Sequence, residues 1–236
     1  MLEFERCVKV MDILNKIKRL LKKSRWVREI YVGAICKIRI RKIRKNGLEI
    51  LNLINNILDN LDIKHFIDFG TLLGFIREKE FIAHDPDIDI GILNAGKSEQ
   101  KNIAEYLGKK GFKKTHEFKY DGQVVEQAYI KKGVKVDLFY YHHDDVNSFC
   151  YLFDKEFGVN YPFLEAVSTF KFAYKKIENI ENRIINGIKV SVPKNPEELL
   201  EEKYGRDWEK PNKNWIYQNS PSIDRMNKFG EIVKYK

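Results

Sequence analysis

Residues 87–93 read Asp-Ile-Asp-Ile-Gly-Ile-Leu, and this strict alternation constrains the chain more than any other stretch. A period of two is that of a β-strand, so Ile88, Ile90 and Ile92 face one side while Asp87 and Asp89 share the other. Side chains two apart on a strand stand about 7 Å apart along one face. A second run, Val134-Lys135-Val136-Asp137-Leu138-Phe139, repeats the device, with Val134, Val136 and Leu138 on one face and Asp137 on the other. Both apolar faces require a core. At 43% hydrophobic over 236 residues the chain supplies one, as a single substantial domain or a domain with an appendage. If the two strands are neighbours, three carboxylates converge, and bound cations make such a cluster tolerable. Carboxylate oxygens suit Mg²⁺ or Mn²⁺, and two such ions roughly 3.5–4 Å apart clamp a phosphoryl group and activate an attacking oxygen. Asp87, Asp89 and Asp137 are therefore the expected metal ligands of a two-ion site.

Upstream, His65-Phe66-Ile67-Asp68-Phe69 reads as a short strand that turns through Gly70-Thr71 into a helix ending near Arg77. A glycine turn at a helix start presents free N–H groups and the positive dipole end to an anion. Gly70 and Thr71 are thus candidate phosphate contacts, and Arg77 a candidate cation for a second phosphate. His84 and Asp85, just before the acidic pair, read either as loop residues or as catalytic groups, Asp85 as a base for a hydroxyl.

Around these motifs the order is a helical lead-in, an α/β centre with mixed strands, and a helical C-terminal part. Residues 5–45 carry no proline and show helix-like apolar spacing, including Ile13, Ile17, Leu20, Leu21, Ala34, Ile35 and Ile38, with Asn46-Gly47 expected to break the helix. A second helix follows through Leu51, Ile54, Leu58 and Leu61. Ser98 is expected to cap a helix ending at Gly111. Asp121-Gly122 joins two strands as a hairpin, Lys132-Gly133 leads into the strand of Asp137, and Asn186-Gly187 joins two more. Asn195-Pro196-Glu197 starts a helix that Gly205 ends. The chain divides into a basic helical segment (1–46), a catalytic domain (47–212) and a tail (213–236). His142-His143-Asp144-Asp145 reads as a solvated loop.

The net charge of +9 is concentrated. Residues 16–45 hold 13 Lys/Arg and one acid, so the rest of the chain is slightly acidic. This disfavours a general nucleic-acid binder, and no nucleic-acid partner is expected. The basic segment reads as a helical cap, as a docking surface for an assembly or a polyanionic glycan, or as a contact with an anionic membrane surface. Cys7, Cys36 and Cys150 are far apart and form no Cys-x-x-Cys pair, so neither a zinc site nor a disulfide framework is expected. Met1-Leu2-Glu3-Phe4-Glu5 does not open a secretory leader, and no run of 18 uncharged apolar residues suggests a membrane span. The expected location is the cytoplasm, with peripheral contact at the inner face of the membrane if the third reading holds.

The block Asp68-Phe69-Gly70-Thr71-Leu72-Leu73-Gly74-Phe75-Ile76-Arg77, followed by Phe81-Ile82-Ala83-His84-Asp85-Pro86-Asp87-Ile88-Asp89-Ile90, resembles the LicD and fukutin families of the nucleotidyltransferase-fold superfamily. Asp137 fits the third acid of that pattern. Val192-Pro193, Pro196 to Leu200 and Lys203-Tyr204-Gly205-Arg206-Asp207-Trp208 are similar to the C-terminal LicD signature. Where the family usually has an aromatic and three acids before the final Ile-Asp, this chain has His84-Asp85-Pro86-Asp87. The resemblance spans about residues 50–212. It implies an α/β (α+β) nucleotidyltransferase-like mixed sheet flanked by helices, and a phosphotransferase. Its donor would be a CDP-activated phospho-alcohol of the phosphocholine, glycerol phosphate or ribitol phosphate type, and its acceptor a hydroxyl of a glycan or glycolipid. It also leaves Tyr204, Asp207 and Trp208 with a possible site role. Two other readings compete: a nucleotidyltransferase moving NMP from NTP to a small molecule or protein, and a non-catalytic glycan- or RNA-binding scaffold.

Overall fold

The strand predicted at residues 87–93 forms with those bounds, β2 (Asp87–Leu93), and its neighbour is the strand predicted to carry Asp137, β5 (Val134–His143). They run parallel, with Ile88 beside Val136 and Ile90 beside Leu138. All four of these side chains are buried. The computed structural model describes residues 25–235. The predicted stripe residues Ile13, Ile17, Leu20 and Leu21 lie outside them.

Short strand β1 (His65–Ile67) flanks β2 antiparallel. On the other side of β5 come β4 (Gln123–Lys131) and β3 (Lys113–Tyr120), a hairpin whose turn, Asp121-Gly122, has φ of 50° and 72°. Both turn residues take the left-handed conformation that a two-residue hairpin loop needs, the reason an X-Gly pair marks such turns. The sheet does not stop there. β11 (Gly230–Lys234) pairs with β3 and with β7 (Ala166–Lys175), β7 pairs with β6 (Asn147–Asp154), and β6 returns to the end of β5. Strands β5, β4, β3, β11, β7 and β6 thus close a ring, and β10 (Ile223–Arg225) pairs with β7 further along, at Phe170–Phe172, on the edge opposite β6. The class is mixed α+β, and the expected mixed sheet is curled into a barrel.

The lead helix α1 (Arg25–Asn60) runs unbroken through Asn46-Gly47, contrary to the expected stop. Gly47 is there for close packing. A Cβ on it would lie 2.8 Å from Cε2 of Phe81, while Asn46 donates to the Lys132 carbonyl at 3.0 Å. From Ile43 onward the helix buries Ile50, Leu51, Ile54, Ile57 and Leu58 against β5, β9 and β2. Ahead of it, Ala34 and Ile38 face solvent, so the stripe read at the sequence level does not continue into the core there. Helix α2 (Phe69–Arg77) follows β1. Helix α3 (Lys97–Lys109) starts from Gly96, and Ser98 bonds Glu99 instead of capping it. Strands β8 (Ile180–Ile185) and β9 (Ile188–Pro193) form a separate hairpin, and α4 (Pro196–Tyr204) ends at Gly205 as expected. The C-terminal part is not helical beyond α4 apart from a single 3₁₀ turn, Tyr217–Asn219. Its strands β10 and β11 join the sheet that the tail was expected to leave.

Candidate active site

Helix α2 begins on Asp68, whose side chain accepts from the Phe69 N–H at 2.7 Å. The same carboxylate accepts from the Tyr141 hydroxyl at 2.7 Å and meets the Lys203 ammonium at 2.8 Å. Both charges are buried, and the ammonium lies 3.8 Å from the Phe69 ring centroid. Phe69 is held at φ 39°, a conformation that costs a residue with a side chain of order 1–3 kcal/mol. The turn is built tightly for a reason visible one step on. Asp89 donates its N–H to Thr71 Oγ1 at 2.9 Å, and its carbonyl accepts from the Asp68 N–H at 2.9 Å. The first turn of α2 therefore holds both main-chain polar groups of Asp89. This corrects the role expected of Thr71: its hydroxyl is buried on β2 and does not face the cleft where a phosphate would sit. Gly70 does line that cleft, but a Cβ there would lie 2.0 Å from Oδ2 of Asp85, so the glycine makes room for a carboxylate.

The cleft measures about 850 Å³ and opens between α2, the loop before β2, the barrel interior and residues 204–217. Its floor is one face of four adjacent strands. In register across it stand Asp89, Asp137, Ala128 and His116, flanked on one side by Asp87 beside Lys135 and on the other by Glu126 beside Phe139. Asp89 and Asp137 are direct neighbours, one strand spacing of about 4.8 Å apart. The three predicted acids are thus brought together, with Asp85 hydrogen-bonded to Asp87. Burial, then the charge of Asp87, pushes Asp85 and Asp89 well above the usual carboxylate range. Burial raises Asp137 to about 6, against the opposing pull of Lys135. Glu126 is raised by burial and then by Asp137. Burial opposes the charge on Lys135, but Asp137, Asp87 and Glu126 outweigh it and keep the amine protonated. Its ammonium lies 3.2 Å from Asp87 Oδ2 and bonds Asp137 Oδ2 directly.

The floor sets five acids against one lysine, and their oxygens are the donors that Mg²⁺ or Mn²⁺ takes. Asp137 Oδ1 is buried with no hydrogen-bond partner, an acceptor left unsatisfied by the protein. The donor set fits a divalent ion. Among the described residues, however, no three His, Cys, Asp or Glu side chains are gathered around one metal-sized point, and Asp87 and Asp137 are both paired with Lys135.

The opposite wall is made of donors. Arg77 binds the Trp208 carbonyl at 3.0 Å and Glu78 at 2.6 Å, while its Nε is buried without a partner. Trp215 Nε1 is likewise buried and unpartnered, with its ring 4.6 Å from that of Tyr204. His84 is exposed at the mouth of the cleft, apart from the floor. Tyr204, Asp207 and Trp208 also line the cleft, with Asp207 exposed and paired with Lys210 at 2.7 Å. Of the run read as a solvated loop, Asp144 closes the β5–β6 turn by accepting from the N–H groups of Val146 and Asn147, but His142 and His143 are half-buried on β5, paired with Phe149 and Ser148 of β6.

Sequence reading missed Lys135, Glu126, His116 and Trp215. Lys135 shares the face of Asp137 by simple alternation and was there to be read. Glu126 was not, since Val125 and Tyr129 on one face of β4 and Ala128 on the other are all buried, leaving no polar face to find.

Residues 62–195 match the family model described as LicD/FKTN/FKRP, nucleotidyltransferase domain. The chain belongs to this LicD/fukutin family. Similar proteins include the ribitol-5-phosphate transferases FKTN of Homo sapiens and Macaca fascicularis, each 25% identical over 193 residues, covering 81% of this chain and 39% of theirs. An uncharacterized protein of Rickettsia prowazekii, RP689, is 29% identical over 119 residues, covering 48% of this chain and 41% of its own. The chain spans about two fifths of the length of these relatives.

Proposed function

We propose that this LicD-family chain is a metal-dependent phosphotransferase, moving a phospho-alcohol from a CDP-activated donor to a hydroxyl of a glycan or glycolipid. The observation that carries the reading is a set of buried atoms without a hydrogen-bond partner, on residues that line one cleft. An acceptor, Asp137 Oδ1, lies on an acidic floor, and two donors, Arg77 Nε and Trp215 Nε1, stand in the wall. A group that satisfies all three is cationic on one side and rich in oxygens on the other, as a divalent ion carrying a diphosphate is. The fukutin relatives named as ribitol-5-phosphate transferases make ribitol phosphate the first donor to try. The sheet β1-β2-β5-β4 would then be the nucleotidyltransferase-like part of the fold.

Asp87, Asp89 and Asp137 would hold Mg²⁺ or Mn²⁺, which supplies charge neutralisation at the transferring phosphoryl group. Arg77 and Trp215 donate to the oxygens of the departing nucleotide, whose negative charge grows as its P–O bond breaks. The acceptor hydroxyl oxygen forms the new bond to phosphorus, and its proton passes to a floor carboxylate, Asp85 or Asp137. Asp85, nearer the mouth, is the one an entering sugar meets first. Positioned donors of this kind are each worth about 10²–10³ in rate.

The test is metal-dependent release of CMP from CDP-ribitol, with CDP-glycerol and CDP-choline in parallel, by the protein and by Asp89→Asn. The variant should lose at least about 100-fold, and near-normal turnover would refute the assignment. The family's nucleotidyltransferase description favours one second reading, NMP transfer, and pyrophosphate released from CTP or ATP in place of CMP would establish it. For the basic segment 16–45 we propose, beside the helical-cap reading, contact with an anionic membrane surface at the site of synthesis, in the cytoplasm. Flotation with phosphatidylserine vesicles at low salt tests this, and protein left in the pellet would remove it.

A further inference from the structure

Among the described residues, Lys135 is the one group on the cleft floor with the opposite charge, and its placement bears on how the floor would bind a metal. The side chain is largely buried, at 16% exposure, between two of the acids assigned above to the ion. It sits beside Asp87 in the register and two residues from Asp137, on the same face of the same strand. Its ammonium meets one oxygen of each, while the second oxygen of Asp137 is left buried and unpartnered. A carboxylate buried with one oxygen on an ammonium and the other on nothing is half satisfied. An ion reached by both Asp87 and Asp137 needs the space that the ammonium fills. Among the described residues the same acids are also not gathered around any metal-sized point, the arrangement expected if the ammonium occupies the space between them.

We propose that the Lys135 ammonium and a divalent cation are alternative occupants of the space between Asp87 and Asp137, so that metal entry expels the lysine from between the two carboxylates. The inference rests on the metal assignment made above and adds to it a resident competitor. Without metal, Lys135 keeps the acids from repelling one another and the floor folded. With metal, its four-carbon stem swings the charge away into the cleft, where a donor's oxygens would sit. An ammonium is the residue suited to this, being a compact charge on a flexible chain.

Competition has a signature that a structural role lacks. Titration calorimetry with Mn²⁺ on the whole protein should show Lys135→Met binding the ion about 10- to 100-fold more tightly than the native protein, within the usual range for coupled sites. Lys135→Arg, which keeps the charge, should bind within about threefold of native on the same argument. Equal or weaker binding by Lys135→Met overturns the proposal while leaving the metal assignment standing. Absence of Mn²⁺ binding in the native protein overturns both. Because loss of the ammonium endangers folding, a second measurement uses the native protein alone. Reductive methylation with peptide mapping should label Lys135 at least about fivefold faster with saturating Mn²⁺ than without, the lower end of the same range. An unchanged rate overturns expulsion.

Discussion

Asp68 and Lys203 are neutralised by each other with no water between them, and Tyr141 completes the set by donating to Asp68 and accepting from the ammonium at 3.0 Å. Breaking a buried pair by removing one partner costs far more than the pair contributes when intact, typically about 3–5 kcal/mol. Lys203→Met should therefore lower unfolding free energy by about that amount in urea titrations. Asp68→Asn should cost a similar amount, because it leaves the Lys203 ammonium buried without a counter-charge. Cys150 makes a second case. Burial pushes its thiol up to about 12. Unfolded, it ionises near pH 8.5. Its folded value is the higher, so its stabilising contribution is whole below about pH 8.5 and is lost as pH rises from there toward 12. Iodoacetamide should leave Cys150 unmodified in the native protein at pH 8 and modify it in denaturant, read by peptide mapping.

At the scale of elements, sequence was a good guide wherever a residue's position was set by its own strand or turn. Residues 87–93 form a strand because alternation leaves them no other way to bury three isoleucines, and Asn186-Gly187 turns because its left-handed conformation suits that pair. The acids on β2 and β5 were legible for the same reason. What was hidden depended on other elements. Gly47 looks like a helix stop until Phe81 is seen against it, and Thr71 looks like a phosphate ligand until β2 is seen beneath it. Two substitutions separate these meanings. Gly47→Ala improves helix propensity by about 1 kcal/mol but drives a methyl into Phe81, and overpacking costs about 1–3 kcal/mol. The net change should be a lower melting temperature, restored when Phe81 is cut to leucine. Gly70→Ala should displace the Asp85 carboxylate and reduce transfer about 10- to 100-fold, with Asp89 and the fold left in place by circular dichroism.

For the whole molecule, the deciding contact is the one that sequence reading placed outside the domain. β11 is only five residues long and carries no clear alternation, with Gly230 buried and Glu231 and Lys234 exposed. It is a strand because β3 and β7 each offer it a bare edge, and pairing, not pattern, defines it. Stopping the chain after Met226 should leave both edges open, and exposed edges template association. Light scattering on heating should show that truncated form aggregating well below the temperature at which the full chain unfolds. The same strand orders events in time. His116 and Lys234 are partners across more than a hundred residues of sequence, and such distant pairings form slowly. Without that strand the barrel is a curved wall missing a stave, and the cleft acquires an inside only when β3 and β7 are joined.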